Sequence, residues 1–475
     1  MKLITLVLVI CSAWMPILQA ADKPNIIIVF NDDMGYGDLG CFGAPKIKTP
    51  RIDQMAQEGM RFTDFYVASP VCSASRASLL TGCYHRRVGV GGVFFPNRGQ
   101  TGLAPEHVTI AEVLKTVGYR TKAVGKWHLG DEPDYLPTNQ GFDSYYGIPY
   151  SNDMTPAKSM AYAEDCLFRE GFSIEMLDEG FKNSDSIKGP AAFKNKVPLM
   201  RDEVCIELPA DQRTITQRFA TEGIEFISES VEAGEPFFLY LANSMPHTPL
   251  YVSAEFEGKS EGGLYGDVIE EIDYNFGRIL DHLKQLNIEQ DTLVIFTSDN
   301  GPWLIKGDHG GRALPLFEGK TTHFEGGQRV PTLIRWPKQI PAGSVCSEMA
   351  LSMDLLPTFA HITGAELNTS MPLDGKNIMD LLAGKEGATS PHEYFFFGTS
   401  AVRSGKWKYH AVEKFKVKAT ARQNQGPTLY NLEEDIGESN NVIDGYPEVA
   451  ARLKKALESN PNKGKGKGKA SKKAK

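Results

Sequence analysis

No two cysteines in the chain are spaced as a CxxC pair, which argues against a structural zinc site. Beyond the first residues there is no apolar run of the ~20 residues that a bilayer crossing requires, so no transmembrane helix is expected. The one early run, Ile4 to Ile10, is too short for that task. It follows a single Lys2 and precedes Pro16 and the small Ala20. That pattern reads as a secretory signal peptide over residues 1–20, with the mature protein starting near Ala21 and destined for the periplasm or the outside of the cell. Excess positive charge is also missing from the body of the chain. The formal charge of −8 includes seven lysines and no acid from Asn462 to Lys475, so about −15 belongs to everything before them. Such a body is not expected to bind nucleic acid.

The basic end alternates Gly and Lys from Lys463 to Lys469 and cannot bury apolar surface. Residues 461–475 are therefore expected to be disordered, as a solvated tail or as a loose electrostatic tether to an anionic polysaccharide. Apart from Cys11 in the leader, the cysteines are Cys41, Cys72, Cys83, Cys166, Cys205 and Cys346, and export permits disulfides among them. Spacing does not assign the pairs. Cys166 with Cys205 is the first choice, because both lie in one irregular, insertion-like stretch.

About 450 mature residues exceed one ordinary core, so a large domain and a smaller one are expected. Asn25 to Phe30 is a continuous β-branched and apolar run, as for a strand buried on both faces, and it stops at Asn31, Asp32 and Asp33. Thr292 to Thr297 stops in the same way at Ser298, Asp299, Asn300 and Gly301. Phe237 to Leu241 runs on towards His247, and Thr121 to Val124 leads into Lys126 and His128. Helical patterns over Ile52 to Gly59, Ile110 to Val117, Thr214 to Ala233 and Asp267 to Leu286 separate these runs. Strands alternating with helices predict an α/β fold with a large, mostly parallel, helix-covered sheet. Ligands bind beyond the carboxyl ends of such strands. One Asp or Asn after a strand is ordinary turn chemistry, but four chemically complementary ends are harder to explain that way.

Asp32, Asp33, Asp299 and Asn300 offer hard oxygen donors, which suit Ca²⁺, or less well Mg²⁺, and give zinc or copper no soft ligand. Three acids gathered together also repel one another without a cation. Val71 to Gly82 (VCSASRASLLTG) predicts a short helix with Cys72 at or just before its first turn. Free N–H groups there would favour an anion and lower the thiol pKa. Burial in packing or in a disulfide is the plainer role for a cysteine at such a place.

The residues around Cys72 carry a more specific pattern. Cys72-Ser73-Ala74-Ser75-Arg76, followed by Leu79, Leu80, Thr81 and Gly82, resembles the sulfatase signature C-x-[P/A]-S-R-x-x-x-L-T-G. PNIIIVFNDDMGYGDLG, GKWHLG, QGFDSYYGIPYSND, PFFLYLANSMPHTP, TSDNG and GKTTHFEGGQRVP resemble further blocks of that family, in family order up to about Gly375. GIPYSND is similar to the branch of arylsulfatase A and N-acetylgalactosamine-6-sulfatase. The resemblance implies an alkaline phosphatase-like fold with a catalytic domain over residues 21–375 and a smaller C-terminal unit over 376–460. It implies that Cys72 is oxidised to formylglycine by a formylglycine-generating or radical sulfatase-maturating enzyme. It further implies that Asp32, Asp33, Asp299 and Asn300 hold calcium beside the modified Cys72. Arg76 and Lys126 would stabilise the formylglycine hydrate and the sulfate, His128 would act as base on the hydrate, and Ser151 would touch the sulfate. His247 and Lys320 would hold the bridging oxygen and assist the leaving alcohol. Two positions depart from the pattern: Ala74 stands where proline is commoner, and Cys83 where a basic residue usually follows Thr-Gly.

This chemistry has a physical logic. A sulfate monoester surrounds its sulfur with anionic oxygen and has a poor leaving group, so a positive field and proton-exchanging histidines are needed. The hydrate offers two hydroxyls on one carbon, one to attack sulfur and one whose deprotonation expels sulfate. A thiol or a serine hydroxyl could not complete the second step. The remaining histidines, His85, His107, His282, His361, His392 and His410, read as surface or satisfied core residues, while His309 and His323 flank the segment around Lys320.

After Gly375, Glu393 to Phe397, Ala401 to Tyr409 and Pro427 to Asn431 alternate as in an antiparallel sheet, and Pro447 to Leu457 reads as a closing helix. The expected substrate is a sulfated carbohydrate, with aryl sulfates as stand-ins, and specificity is expected in loops such as Met154 to Leu208. The competing readings are a phosphodiesterase or phosphonate hydrolase of the same superfamily, and a non-catalytic sulfated-glycan-binding protein should Cys72 stay unmodified.

Overall fold

The computed structural model describes residues 23–98, 101–184, 189–369, 371–411 and 426–463. The expected leader and most of the lysine-rich tail lie outside these residues.

Five parallel strands form the centre of an eleven-stranded mixed sheet: β1 (Asn25–Asn31), β2 (Arg120–Lys126), β3 (Ser144–Ile148), β4 (Phe237–Ala242) and β5 (Thr292–Ser298). They stand side by side in the order β5-β1-β4-β2-β3. On β1 the alternation of strand side chains divides the core in two. Ile26, Ile28 and Phe30 face helix α1 (Cys72–Thr81) and its neighbours, whereas Ile27 and Val29 join the core built on α2 (Ile215–Ala233) and α3 (Gly263–Gln285). α4 (Leu355–Thr363) packs on the α1 side through Leu355, Leu356 and Phe359. The sheet thus lies between two helical layers, as the alternating runs predict.

The margins of the sheet are antiparallel in part. Thr332–Arg335 runs antiparallel to β5, and Leu199–Arg201 antiparallel to β3. The Met154 to Leu208 stretch was expected to be irregular. It instead contributes three strands to the sheet edge, Ala161–Phe168, Leu199–Arg201 and Val204–Leu208. Short strands with mixed polar content on an edge give little periodicity to read. Cys166 and Cys205 sit on adjacent edge strands with their sulfurs 3.9 Å apart, as free thiols.

The second sheet is antiparallel, β6 (Phe395–Phe397), β7 (Ala401–Ser404), β8 (Trp407–His410) and β9 (Thr428–Asn431), paired in sequence order. The segment read as one run from Ala401 to Tyr409 is a hairpin, because Gly405 adopts a left-handed φ of 52° and turns the chain. α5 (Pro447–Glu458) covers this sheet with Leu453 and Leu457, and Tyr66 and Met353 join the same core from the large unit. The last described turn is Pro461–Lys463, with Asn462 buried.

Candidate active site

Strand register brings the site together. Asn31 of β1 lies opposite Ser298 of β5, Phe30 opposite Ala242 of β4, and Ala242 opposite Gly125 of β2. The strands therefore end nearly level, and the residues at and just beyond their ends share a single rim: Asp32 and Asp33, Asp299 and Asn300, Lys126 and His128, and the loop to His247. Asp33 and His128 hold left-handed backbones, with φ of 68° and 61°. Such conformations cost about 1–3 kcal/mol for ordinary side chains and persist where surroundings fix them. Here the Asp33 N–H donates to Asp299 Oδ1 at 3.2 Å and the His128 N–H to Pro149 O at 3.0 Å.

All of the residues singled out from the sequence converge. Cys72 is the first residue of α1 and is buried. Lys320 Nζ is 3.7 Å from Cys72 Sγ and donates to Asp33. Arg76 gives Asp299 Oδ2 two hydrogen bonds, from Nε at 3.1 Å and Nη2 at 2.7 Å, and a third to the Lys126 carbonyl at 2.8 Å. Lys126 Nζ donates to Asp32 and lies 3.3 Å from Ser151 Oγ. Arg76 and Lys126 are fully buried.

The electrostatics correct one expectation and support another. Burial, the largest influence on the Cys72 thiol, outweighs Lys126 and Lys320 and pushes its pKa up, so the helix terminus does not make it an activated thiolate. Arg76, Lys126 and Lys320 pair with the three acids one for one, yet burial and the repulsion of Asp32 still push Asp33 up and Asp299 up to about 7, so the repulsion expected of gathered acids persists. Burial alone would raise Asp32, yet Lys126, His247, Arg76 and Lys320 together hold it well below the usual carboxylate range. Burial is the largest single influence on the Lys320 ammonium and works against it, but Asp33, Cys72, Asp32 and Asp299 together outweigh it and hold the lysine well above its ordinary value.

The case for a cation rests on unmet oxygens. Asp32 Oδ1, Asp33 Oδ2 and Asn300 Oδ1 are buried acceptors without a hydrogen-bond partner. Stranding one such group costs about 1–3 kcal/mol, so three on adjoining residues mark a place for a ligand. All are hard oxygen donors, and ligand-type atoms of Asp32, Cys72 and Asp299 lie within 4.8 Å of one another. The donor set fits a divalent cation of the calcium or magnesium type.

Both site histidines have an assignable working nitrogen. His128 Nε2 is 3.0 Å from Phe94 O and must carry the proton there, leaving Nδ1 with a lone pair and no partner. The Asn152 amide donates to the carbonyls of His247 and Pro249, which turns its Oδ1 to His247 Nδ1 at 3.0 Å. His247 is thereby protonated on Nδ1, and Nε2 faces the cluster, 3.7 Å from Asp33 Oδ2. Burial, aided by Lys126 at His128 and by Lys320 at His247, lowers both pKa values well below the ordinary histidine range. Both rings are neutral near pH 7.

The other histidines are held in structural contacts or lie outside the cluster. His392 meets Asp354 at 2.7 Å, His410 meets Glu438 at 3.0 Å, His85 contacts Val90 O and His282 contacts Ser228. His323 bonds Ser400 Oγ at 2.5 Å, and His309 is exposed. Cys83 is buried in the core beside α1. Sequence reasoning gave no part to Asn152 or Trp303. Asn152 adjoins Ser151 and offered only that adjacency as a signal. The Trp303 ring lies 5.2 Å from that of His247 and follows the Asp299-Asn300 turn.

With this geometry in place, the chain can be set beside known proteins. The Sulfatase family profile matches residues 24–365, and the profile described as N-sulphoglucosamine sulphohydrolase, C-terminal, matches residues 315–463. Arylsulfatase A of Bos taurus is 37% identical over 464 residues, spanning 93% of this chain and 87% of the relative. N-acetylgalactosamine-6-sulfatase of Canis lupus familiaris is 36% identical, spanning 85% and 75%. The crystal structure of Ps i-CgsB in complex with k-i-k-neocarrahexaose superposes with a TM-score of 0.76 at 31% identity, covering 92% of each chain. The extent of these matches, together with the motif around Cys72 and the level strand ends, places the chain in the sulfatase family of sulfuric ester hydrolases.

Proposed function

We propose that this protein is an exported, calcium-dependent sulfatase that releases inorganic sulfate from a sulfated carbohydrate, with Cys72 converted to formylglycine by a maturation enzyme of the host. The observation that carries the reading is the set of three stranded oxygens, Asp32 Oδ1, Asp33 Oδ2 and Asn300 Oδ1, in a pocket that also gathers Cys72, Arg76, Lys126 and Lys320. Residues 21–375 would carry the chemistry, and 376–460 would buttress it.

Asp32, Asp33, Asp299 and Asn300 would hold the cation, which when bound supplies a positive field at the sulfate oxygens. Formylglycine, once hydrated, supplies the attacking hydroxyl. The chain's own groups do the rest. With the acids engaged by a cation, Lys126 and Lys320 have charge to spare for an anionic ester, and Ser151 Oγ, 3.3 Å from Lys126 Nζ, adds a hydrogen bond to it. Neutral His128 offers its Nδ1 lone pair to take a proton at residue 72. Protonated Lys320 is the group suited to give a proton to the departing oxygen. His247 Nε2, aimed by Asn152, carries a lone pair in this tautomer, so it is not the proton source and is placed to accept from the departing hydroxyl once Lys320 has protonated it.

Matched sulfate and phosphate monoesters of one alcohol test the reading. Sulfate esters are expected to be turned over with the larger kcat/KM, and a preference for the phosphate series would reassign the chain to phosphoester chemistry. A chelator is expected to lower activity at least tenfold and to reduce Tm by a few degrees, both restored by Ca²⁺, because a ligand at a hundred times its Kd adds about 2.7 kcal/mol to the folded state. A chelated protein with unchanged Tm and activity would remove the metal from the reading.

A further inference from the structure

Trp303 occupies the wall of the pocket where the alcohol must leave. Its ring centroid is 5.2 Å from the His247 ring and 4.8 Å from Lys320 Nζ, the two groups assigned to the departing oxygen. The ring is half-buried. The tryptophan opens a short turn, Leu304–His309, whose Lys306 returns over the same ring with Nζ 4.2 Å from the centroid. Lys306 is exposed, and among the described residues its ammonium has no carboxylate partner. Two ammonium groups at 4.2 and 4.8 Å from one centroid are no more than 9.0 Å apart. That is the scale of a single saccharide unit with two anionic substituents.

We propose that Lys306, seated on the ring of Trp303, reads a second anionic group on the leaving sugar, a sulfate or a carboxylate. The inference rests on the sulfatase reading and deepens it by naming a substrate class, a sugar that carries one anion at the scissile position and another nearby. Cation–π contact holds the Lys306 ammonium at the ring, so that it is already placed when the substrate arrives and less entropy is lost on binding. With a cation at the acids, Lys126 and Lys320 would be left for the scissile sulfate, whereas Lys306 lies outside that cluster and is free to select.

The test uses the full-length enzyme and a panel of galactose monosulfates with the ester at O2, O3, O4 or O6, the corresponding disulfates, and galactose 6-sulfate joined to glucuronate. Lys306→Ala is expected to lower kcat/KM about fivefold on doubly anionic substrates, through KM, and to leave singly sulfated ones within twofold, the scale of an exposed ion pair. The disulfate and glucuronate arms separate sulfate from carboxylate as the second anion. Trp303→Ala, which removes the seat of Lys306, is expected to show the same selective loss on doubly anionic substrates, and Trp303→Phe to recover most of it. The same saccharides are also titrated calorimetrically into Cys72→Ala protein with and without Lys306→Ala, so that the inference is read without turnover. Wild-type protein that hydrolyses neither this panel nor an aryl sulfate counts against the sulfatase reading. Equal loss on singly and doubly anionic sugars, or no loss on either, in both the kinetic and the binding series, overturns the inference.

Discussion

Cys72→Ala is expected to reduce turnover of sulfate esters by a factor on the order of 10⁴ or more while the protein stays folded. The two parts of this outcome have separate causes. Cys72 is buried as the first residue of α1 and makes one side-chain contact of note, with Lys320 at 3.7 Å. Removing one sulfur atom there costs about 1 kcal/mol of packing, well short of unfolding a domain of this size. Chemically, nothing else in the pocket can replace it. Arg76 and Lys320 are held protonated, Lys126 is paired with Asp32, and the two neutral histidines have no route to a stable covalent intermediate. Cys72→Ser is expected to be as inactive as alanine, because one hydroxyl can perform one displacement and cannot expel sulfate afterwards. The check is kcat for wild type and both variants beside their Tm values, with mass spectrometry of the peptide around residue 72 in protein from its native host. Wild-type peptide lacking the thiol mass, and carrying that of an aldehyde or its hydrate, is the expected result. A folded alanine variant that keeps more than a few per cent of activity would place the nucleophile elsewhere.

Much of this site was legible in the sequence because strand ends are where an α/β sheet binds ligands and because each end is written in adjacent residues. Asp32-Asp33, Asp299-Asn300 and Lys126-Trp127-His128 are local statements that need only the parallel sheet to bring them together. The pairing of Arg76 with Asp299 and of Lys320 with Asp33 was not legible, since it joins residues more than 200 positions apart. That is why the charge argument for a metal named the repelling acids but not the cations that partly offset them, and why burial of Cys72, a property of the whole fold, reversed the expected direction of its pKa. The edge strands around Cys166 and Cys205 escaped for a related reason. Their pattern is set by neighbours on one side only and carries little period.

A second large effect is expected from Lys408→Met on β8, far from any reacting atom. Lys408 Nζ is 2.9 Å from Glu325 Oε1 and 2.9 Å from Glu438 Oε1, and all three side chains are fully buried. Around them Arg329 meets Glu325 at 3.2 Å and Asp64 at 2.8 Å, Arg403 meets Asp64 at 2.6 Å, and His410 meets Glu438 at 3.0 Å. The network ties the antiparallel sheet to the segment that carries Lys320, five residues before Glu325, and His323 adds its bond to Ser400. Methionine matches the lysine stem in size but leaves two buried carboxylates without their shared cation, a loss of about 3–5 kcal/mol. Burial alone would raise Glu325, but Lys408, Arg329 and Arg403 hold it down at about 2 in the folded protein. A depressed carboxylate stabilises the fold above its unfolded pKa of 4.5, and this contribution is lost as pH falls from there towards 2. In the variant Glu325 is held down less, so its deficit in Tm relative to wild type is expected to be largest near neutral pH and to shrink below about pH 4.5. Loosening the Lys320 segment is also expected to lower kcat/KM severalfold at temperatures where the variant is still folded, because a lysine displaced by about 1 Å no longer meets the departing oxygen. Calorimetric scans across pH and kinetics at about 20 °C below the variant's Tm check both parts. Wild-type stability and activity in Lys408→Met would mean that the second sheet is merely attached to the catalytic rim and does not hold it in place.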